Sequence, residues 1–249
     1  MRNKLCLGLL AAAYGAYLMR RLGLGWGATD AEVHRSLPGD DVVPHPMIET
    51  THAITIRAPR ATIWPWLIQM GYRRAGWYTD SWYTWIDRYL FRIERPPSAD
   101  HILPQFQHLE TGDTVPDGPP GTAFFTVTAL KPQQALVLYS TTHGTAMVPR
   151  FLRNNPKLGI YADFSWAFAL DEVNESITRL IVRMRANTGP RLLRLLIIPL
   201  FLPADFLVAR LMLRGIKQRA ERQALVGSSS SEERRAVIAA GEPMSRGRV

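Results

Sequence analysis

The stretch THAITIRAPRATIWPWLIQMG, residues 51–71, changes its apolar period partway along, and that change decides the fold. Ile54 and Ile56 alternate with Thr55 and Arg57, the period-two pattern of a half-buried strand over residues 51–58. Pro59 then opens a helix, its fixed φ suiting a first turn, and Ile63, Trp66, Leu67 and Met70 fall at i, i+3, i+4 and i+7 on one face until Gly71 closes it. Pro65 works against this helix, because it has no amide donor and crowds the carbonyl four residues back. Either the helix starts near Trp64 or its first turn is bent.

Outward from that unit, residues 62–85 hold five of the seven tryptophans, a density that ordinary helix packing does not require. Residues 79–91 read as a second short helix with Thr79, Asp80 or Ser81 as N-cap. A long region with Pro and Gly follows from Glu94 to Gly121, with a turn or strand at GDTVP. Then comes an antiparallel meander. TAFFTVTAL and QALVLYS are separated by Lys131, Pro132 and Gln133, a hairpin-like break. IYADFSWAFAL puts Ile160, Ala162, Phe164, Trp166, Phe168 and Leu170 on one face. SITRLIVRMRA puts Leu180, Val182 and Met184 on one face and Arg179, Ile181, Arg183 and Arg185 on the other. After Pro190 the chain is helical but interrupted at Pro199 and Pro203. A last helix starts near Pro203 with Asp205 in its first turn, carrying Phe206, Ala209, Leu213, Ile216 and Ala220 on one stripe and Arg210, Arg214 and Lys217 on another.

The ends differ in character. Leu5 to Met19 is an uncharged run flanked by Arg2 and Lys4 on one side and by Arg20 and Arg21 on the other. As a helix it spans about 22 Å, short of a hydrocarbon core of about 30 Å, so it suits a signal-peptide core, a short anchor, an interfacial helix or a helix packed on the domain. The arginines occupy the place of a small-x-small cleavage site, which disfavours removal. Ser36 to Pro46, SLPGDDVVPHP, reads as an extended linker, and GSSSSEERR from Gly227 as low complexity. The expected organisation is an apolar N-terminal helix at 1–25, a linker at 26–49, one folded domain at 50–224 and a disordered tail at 225–249.

Composition narrows the function. Cys6 is the single cysteine, which excludes an internal disulfide framework and a cysteine-based zinc site. The net charge of +9 concentrates in residues 1–21 and 183–222, the most apolar segments, while residues 22–182 are slightly acidic. Basic and apolar together suit an anionic membrane surface and not nucleic acid. The six histidines, at 34, 45, 52, 101, 108 and 143, show no metal-ligand spacing. No phosphate loop, nucleophile elbow or zinc-helix motif occurs. Asp80, Asp163 and His143 are acid–base candidates only by nearness to aromatic residues; N-capping, an outward strand position and solvent exposure are their ordinary roles. Arg183 and Arg185 are expected on a solvated outer face.

Strand, two short helices, antiparallel strands and a terminal helix follow one another in helix-grip order. The segments ITIRAPRATIWPWLIQMGYRRAGWYTDSW, GDTVP, SWAFAL, TRLIVRMRA and LRGIKQRAE, spread over residues 28–221, resemble the SRPBCC superfamily of START-like and polyketide cyclase/dehydrase-like proteins. The resemblance implies an α+β fold in which a curved antiparallel sheet wraps a long C-terminal helix and leaves a cavity for a hydrophobic small molecule or lipid. Rings suit such a wall, being large, rigid and apolar. Trp66, Met70, Trp77, Tyr78, Asp80, Trp82 and Trp85 are the candidate ligand-binding residues before the strands, Trp166 the one on the sheet, and Phe206 and Leu213 those on the last helix. The expected function is binding of such a ligand at or near a membrane, with the main domain on the cytoplasmic side and no cofactor; the alternative location is soluble in the cytoplasm. The alternatives are a cofactor-independent cyclase or dehydratase, and a membrane-associated interaction protein without a ligand.

Overall fold

A computed structural model describes residues 23–79, 96–143 and 159–240. The expected N-terminal apolar helix, and the second short helix from residue 80 onward, fall outside those residues. Helix α1 (Asp30–His34) precedes strand β1 (Ile48–Ile56) and helix α2 (Arg60–Ile68). A 3-10 turn (Pro104–Phe106) leads to β2 (Thr114–Pro116), β3 (Phe124–Lys131), β4 (Ala135–Ser140), β5 (Tyr161–Asn174), β6 (Ile177–Gly189) and helix α3 (Arg191–Ala240). The strands form one six-stranded sheet in the order β1-β6-β5-β4-β3-β2, and every neighbouring pair is antiparallel. Helix α3 packs over β1 and β6, and α2 packs on α3. This is an α+β architecture whose order and packing fit the helix-grip arrangement.

The sheet alternation sorts the core. Phe168, Leu180, Val182 and Met184 point to the face that meets Ile63, Leu67, Met212, Leu213 and Ile216, and all are buried. At about 1.5–3 kcal/mol for each large side chain fully buried, this layer carries most of the fold's stabilisation. It also explains why α2 starts at Arg60 and runs through Pro65. Ile63, Trp66, Leu67 and Met70 are each at most 2% exposed, and their burial outweighs the roughly 3 kcal/mol that an interior proline costs.

Helix α3 departs further from expectation. It begins at Arg191, passes Pro199 and Pro203 without a break, and continues beyond Gly227 to Ala240. Each proline removes one main-chain hydrogen bond, whereas stopping and restarting would require a new helical nucleus, which is the more costly step.

The convex face is covered as well. The segment read as a linker is docked on it, with Leu37 and Ala28 packed against Ala53, Ala169 and Ile181. Arg183, expected in solvent, is 2% exposed. Its Nη1 donates to Arg35 O and Asp40 Oδ2, each at 2.8 Å, its Nη2 to Glu32 O and Val33 O at 2.9 and 2.8 Å, and its Nε to Thr51 Oγ1 at 3.0 Å. Three of those acceptors are carbonyls at the C-terminal end of α1, where helical carbonyls lack partners and a cation is favoured. Arg185 pairs with Glu49 at 3.0 Å and lies 3.7 Å from Asp40. The free edge of β1 is capped too: Ala53 N–H donates to Trp26 O (3.1 Å), Lys217 Nζ donates to Thr55 O (2.6 Å), and Arg57 N–H donates to Glu221 Oε1 (2.8 Å).

Glu32 links α1 to β6. It completes a capping box with Thr29 and accepts from Arg179 Nε and Nη2 at 2.7 and 2.9 Å. The hydrogen bond from Arg179, more than any other contact, holds its carboxyl at about 2 instead of 4.5. A depressed carboxyl stabilises the folded state above its unfolded value and loses that contribution as pH falls through the folded one. Glu32→Gln should therefore flatten the acid limb of stability between pH 4.5 and about 2. Chemical denaturation across that window measures it, and an unchanged limb would disconnect Glu32 from acid unfolding.

Candidate functional site

The chain leaving α2 turns back on itself through a Gly71–Gly76 bridge and then reaches α3 at Tyr78. Tyr78 holds a left-handed backbone (φ 57°). Its hydroxyl donates to Trp66 O at 2.9 Å and accepts from Gln69 Nε2 at 3.0 Å, its N–H donates to Ser98 Oγ at 3.0 Å, and the Arg219 guanidinium covers its ring at 4.8 Å. Its carbonyl lies against Gly215, where a Cβ would come within 2.2 Å of Tyr78 O. Trp66 Nε1 donates to Gln223 Oε1 at 2.8 Å, a second tie to α3. Four predicted site residues, Trp66, Met70, Tyr78 and Leu213, are thus closed into the α2–α3 junction at 0–2% exposure. Tyr78 and Trp77 are both buried, because the turn after α2 presses them onto α3 and the sheet.

Trp77 begins a different group. Its ring meets Phe125 at 5.8 Å and Trp166 at 5.5 Å. Phe125 in turn stacks on Trp166 (5.9 Å, 24°) and meets Phe164 at 5.7 Å, and Phe168 lies 5.8 Å from Trp166. Strand parity places Phe125 on β3 and Phe164, Trp166 and Phe168 on β5 on the same inner face. Just past β4, His143 stacks on Phe125 at 4.1 Å and on Phe164 at 5.4 Å and 22°. The floor, Phe125 and Phe168, is closed; the rim, Phe164, His143 and Asp117, is half-buried.

The rim is polar and connected. His143 Nδ1 lies 2.7 Å from Ser140 Oγ and its Nε2 lies 2.9 Å from Asp117 Oδ2, while Thr142 N–H donates to Ser140 Oγ at 3.0 Å. His143 is therefore held by a carboxylate and is not the solvated loop histidine expected. Within the wall two donors lack acceptors: neither Trp77 Nε1 nor Trp166 Nε1 has a hydrogen-bond partner. A buried donor left unmet costs about 1–3 kcal/mol.

The other candidates are scattered. Phe206 is half-buried beside His52 (6.5 Å), at the β1 end of α3 and two strands from β5. There Asp205 Oδ2 accepts from Thr50 Oγ1 at 2.9 Å and pairs with His52 Nε2 at 3.1 Å, joining α3 to β1. Asp163 is on the convex face, accepting from the Tyr139 hydroxyl at 2.6 Å; burial and this neighbour push Tyr139 up to about 12. Asp80, Trp82 and Trp85 lie outside the described residues. The basic stripe of α3 is partly covered: Arg210 and the exposed Arg214 lie over Trp26, each at 5.8 Å, and Lys217 pairs with Glu221 at 3.1 Å. A groove of about 450 Å³ on the convex side is lined by the Arg35–Asp171 and Arg60–Glu172 ion pairs. Among the described residues no His, Cys, Asp or Glu cluster suits a metal ion, and no helix is long and apolar enough to cross a membrane.

Sequence reasoning missed Phe125 and Asp117. Carrying the period-two count into TAFFTVTAL would have placed Phe125 beside Trp166. The Asp117–His143 contact joins two loops 26 residues apart and has no local signature.

No protein-family model and no curated protein matches this chain. Solved structures similar to it include a hypothetical protein of Helicobacter pylori, at 10% identity over 74% of this chain and 95% of that one with a TM-score of 0.42. A norcoclaurine synthase point mutant of Thalictrum flavum, in complex with a transition-state analogue, is similar at 12% identity over 70% and 94%, TM-score 0.36. CalU16 of Micromonospora echinospora follows at 17% identity over 70% and 84%, TM-score 0.29. Superpositions this loose transfer neither residues nor activity, and the helix-grip description rests on the strand order and helix packing themselves.

The closeness of Tyr78 to α3 makes Gly215→Ala a direct test of that junction. Alanine gains about 1 kcal/mol of helix propensity, but its methyl meets main chain, and overpacking of that kind costs about 1–3 kcal/mol or more. A net fall in thermal midpoint is expected; a midpoint at or above that of the unsubstituted chain would show that α3 is free to move off Tyr78.

Proposed function

We propose that this protein binds a hydrophobic small molecule at the aromatic end of its concave face. The observation that carries the reading is the wall made by Trp77, Phe125, Phe164 and Trp166, with a closed floor and a half-buried rim at His143 and Asp117. Grouped rings with one wet edge are the usual lining of small-molecule sites. The closed packing of Trp66, Met70 and Leu213 confines the ligand to this end of the sheet. The resemblance to START-like proteins supports the same reading. The uncharged run from Leu5 to Met19 between basic pairs supports a location at a membrane.

A second reading, a cofactor-independent cyclase or dehydratase, is favoured by one contact, His143 to Asp117 beside the wall. A histidine oriented by a carboxylate can take and return a proton, worth about 10²–10⁴-fold in rate. Both its ring nitrogens are engaged, so acid–base work requires the Ser140 or the Asp117 bond to open.

Native mass spectrometry of the full chain, produced without detergent, should show a co-purifying small apolar molecule; a bare chain mass together with no uptake from a panel of apolar ligands would end the proposal. Phe164→Ala should weaken retention of that molecule about tenfold while costing stability only about 1 kcal/mol. Phe168→Ala, in the floor, should instead cost about 3–5 kcal/mol. For the second reading, His143→Gln should keep the ligand and lose turnover of it; turnover that survives the substitution removes the enzyme.

A further inference from the structure

Two indole N–H groups stand in one apolar wall without an acceptor. Trp77 and Trp166 are each 7% exposed, their ring centroids are 5.5 Å apart, and neither Nε1 is hydrogen-bonded among the described residues. Buried indoles ordinarily find a partner, and buried polar groups in general do so nine times in ten or more. The polar side chains described at the rim bond to one another and not to the indoles. Asp117 Oδ2 is engaged by His143 Nε2, and Ser140 Oγ by His143 Nδ1 and Thr142 N–H. Phe125 and Phe164 offer only ring faces, which are second-order acceptors. A lone unmet donor is an occasional feature of any core, but here two sit on adjoining rings beside a half-buried rim.

We propose that Trp77 and Trp166 read an oxygen: the molecule held against this wall is apolar but carries an uncharged carbonyl or ether oxygen that accepts from the two indole N–H groups. This rests on the ligand-binding reading above and names the class of ligand that the wall selects. One carbonyl oxygen has two lone pairs and can accept from both donors. A hydrocarbon chain would satisfy neither, and a carboxylate would have to leave water to meet two neutral donors beside Asp117, whose charge opposes it. The discrimination falls on the oxygen because a dry site built to hydrogen-bond one rejects the analogue lacking it more strongly than it rejects a change in apolar volume.

The probes are 9-fluorenone and fluorene, which share a skeleton and differ in one carbonyl, measured by equilibrium dialysis against the full chain. The unsubstituted protein should hold fluorenone about tenfold tighter than fluorene, although the ketone is the less apolar of the two. Trp77→Phe and Trp166→Phe should each reduce that ratio by about threefold or more, and the double variant should bring it near one. The ratio is the informative quantity, since the lost ring volume acts on both probes alike. If a variant fails to fold, the ratio for the unsubstituted protein still decides. Binding of both probes with a ratio at or below one, or a ratio unmoved by either substitution, overturns the oxygen-reading element and leaves the binding site standing. Failure of both probes to bind would defeat the ligand-binding reading and this inference together.

Discussion

The contact between the Tyr78 carbonyl and Gly215 sets the spacing of everything on the inner face. Helix α3 can approach the turn after α2 so closely only because position 215 has no side chain. That approach brings Arg219 over the Tyr78 ring and Gln223 within reach of Trp66, so one missing methyl group licenses two further contacts. Tyr78 accepts a left-handed backbone to make them, a conformation that costs a non-glycine residue of order 1 kcal/mol and persists where the surroundings over-determine it. The next residue back, Trp77, is consequently delivered to the sheet.

The aromatic residues divide by what surrounds them. At the α2–α3 junction the side-chain polar atoms of Trp66 and Tyr78 both have partners, and the rings act as packing with hydrogen-bonded ends. Across β3 and β5 the rings touch mainly one another, and the polar groups sit at the rim. The first arrangement specifies one geometry. The second leaves directional demands unmet within apolar surroundings, which is the ordinary condition of a surface that recognises something.

Much of the fold was legible because period counts do not depend on distant partners. The inward set Phe164, Trp166, Phe168, Leu180, Val182 and Met184 follows from alternation alone, and the stripe Ala209, Leu213, Ile216 and Ala220 of α3 from the helical period. What misled was charge and proline. Arg183 looks solvated in its strand, but its partners are Glu32, Val33, Arg35 and Asp40, some 150 residues earlier, and nothing near residue 183 announces them. Pro199 and Pro203 look like stops, yet a helix already nucleated can tolerate a lost bond. The site was the least legible part. Composition pointed to indoles, but which of them seal a helix junction and which face β5 depends on the turn at residues 71–78, and the pairing of His143 with Asp117 depends on two loop ends meeting.

The capped rim of β1 bears on how this chain behaves in company. An open strand flank is a template on which a second polypeptide can add its own strand, the starting point of domain exchange and fibril growth. Here Trp26, Lys217 and Glu221 already occupy the outward-facing main-chain groups of Ala53, Thr55 and Arg57, and the opposite flank is only Thr114–Pro116, ending in a residue that cannot donate. Along these stretches few outward main-chain groups remain for an incoming strand to pair with, and the sheet is guarded where a second chain would begin to add.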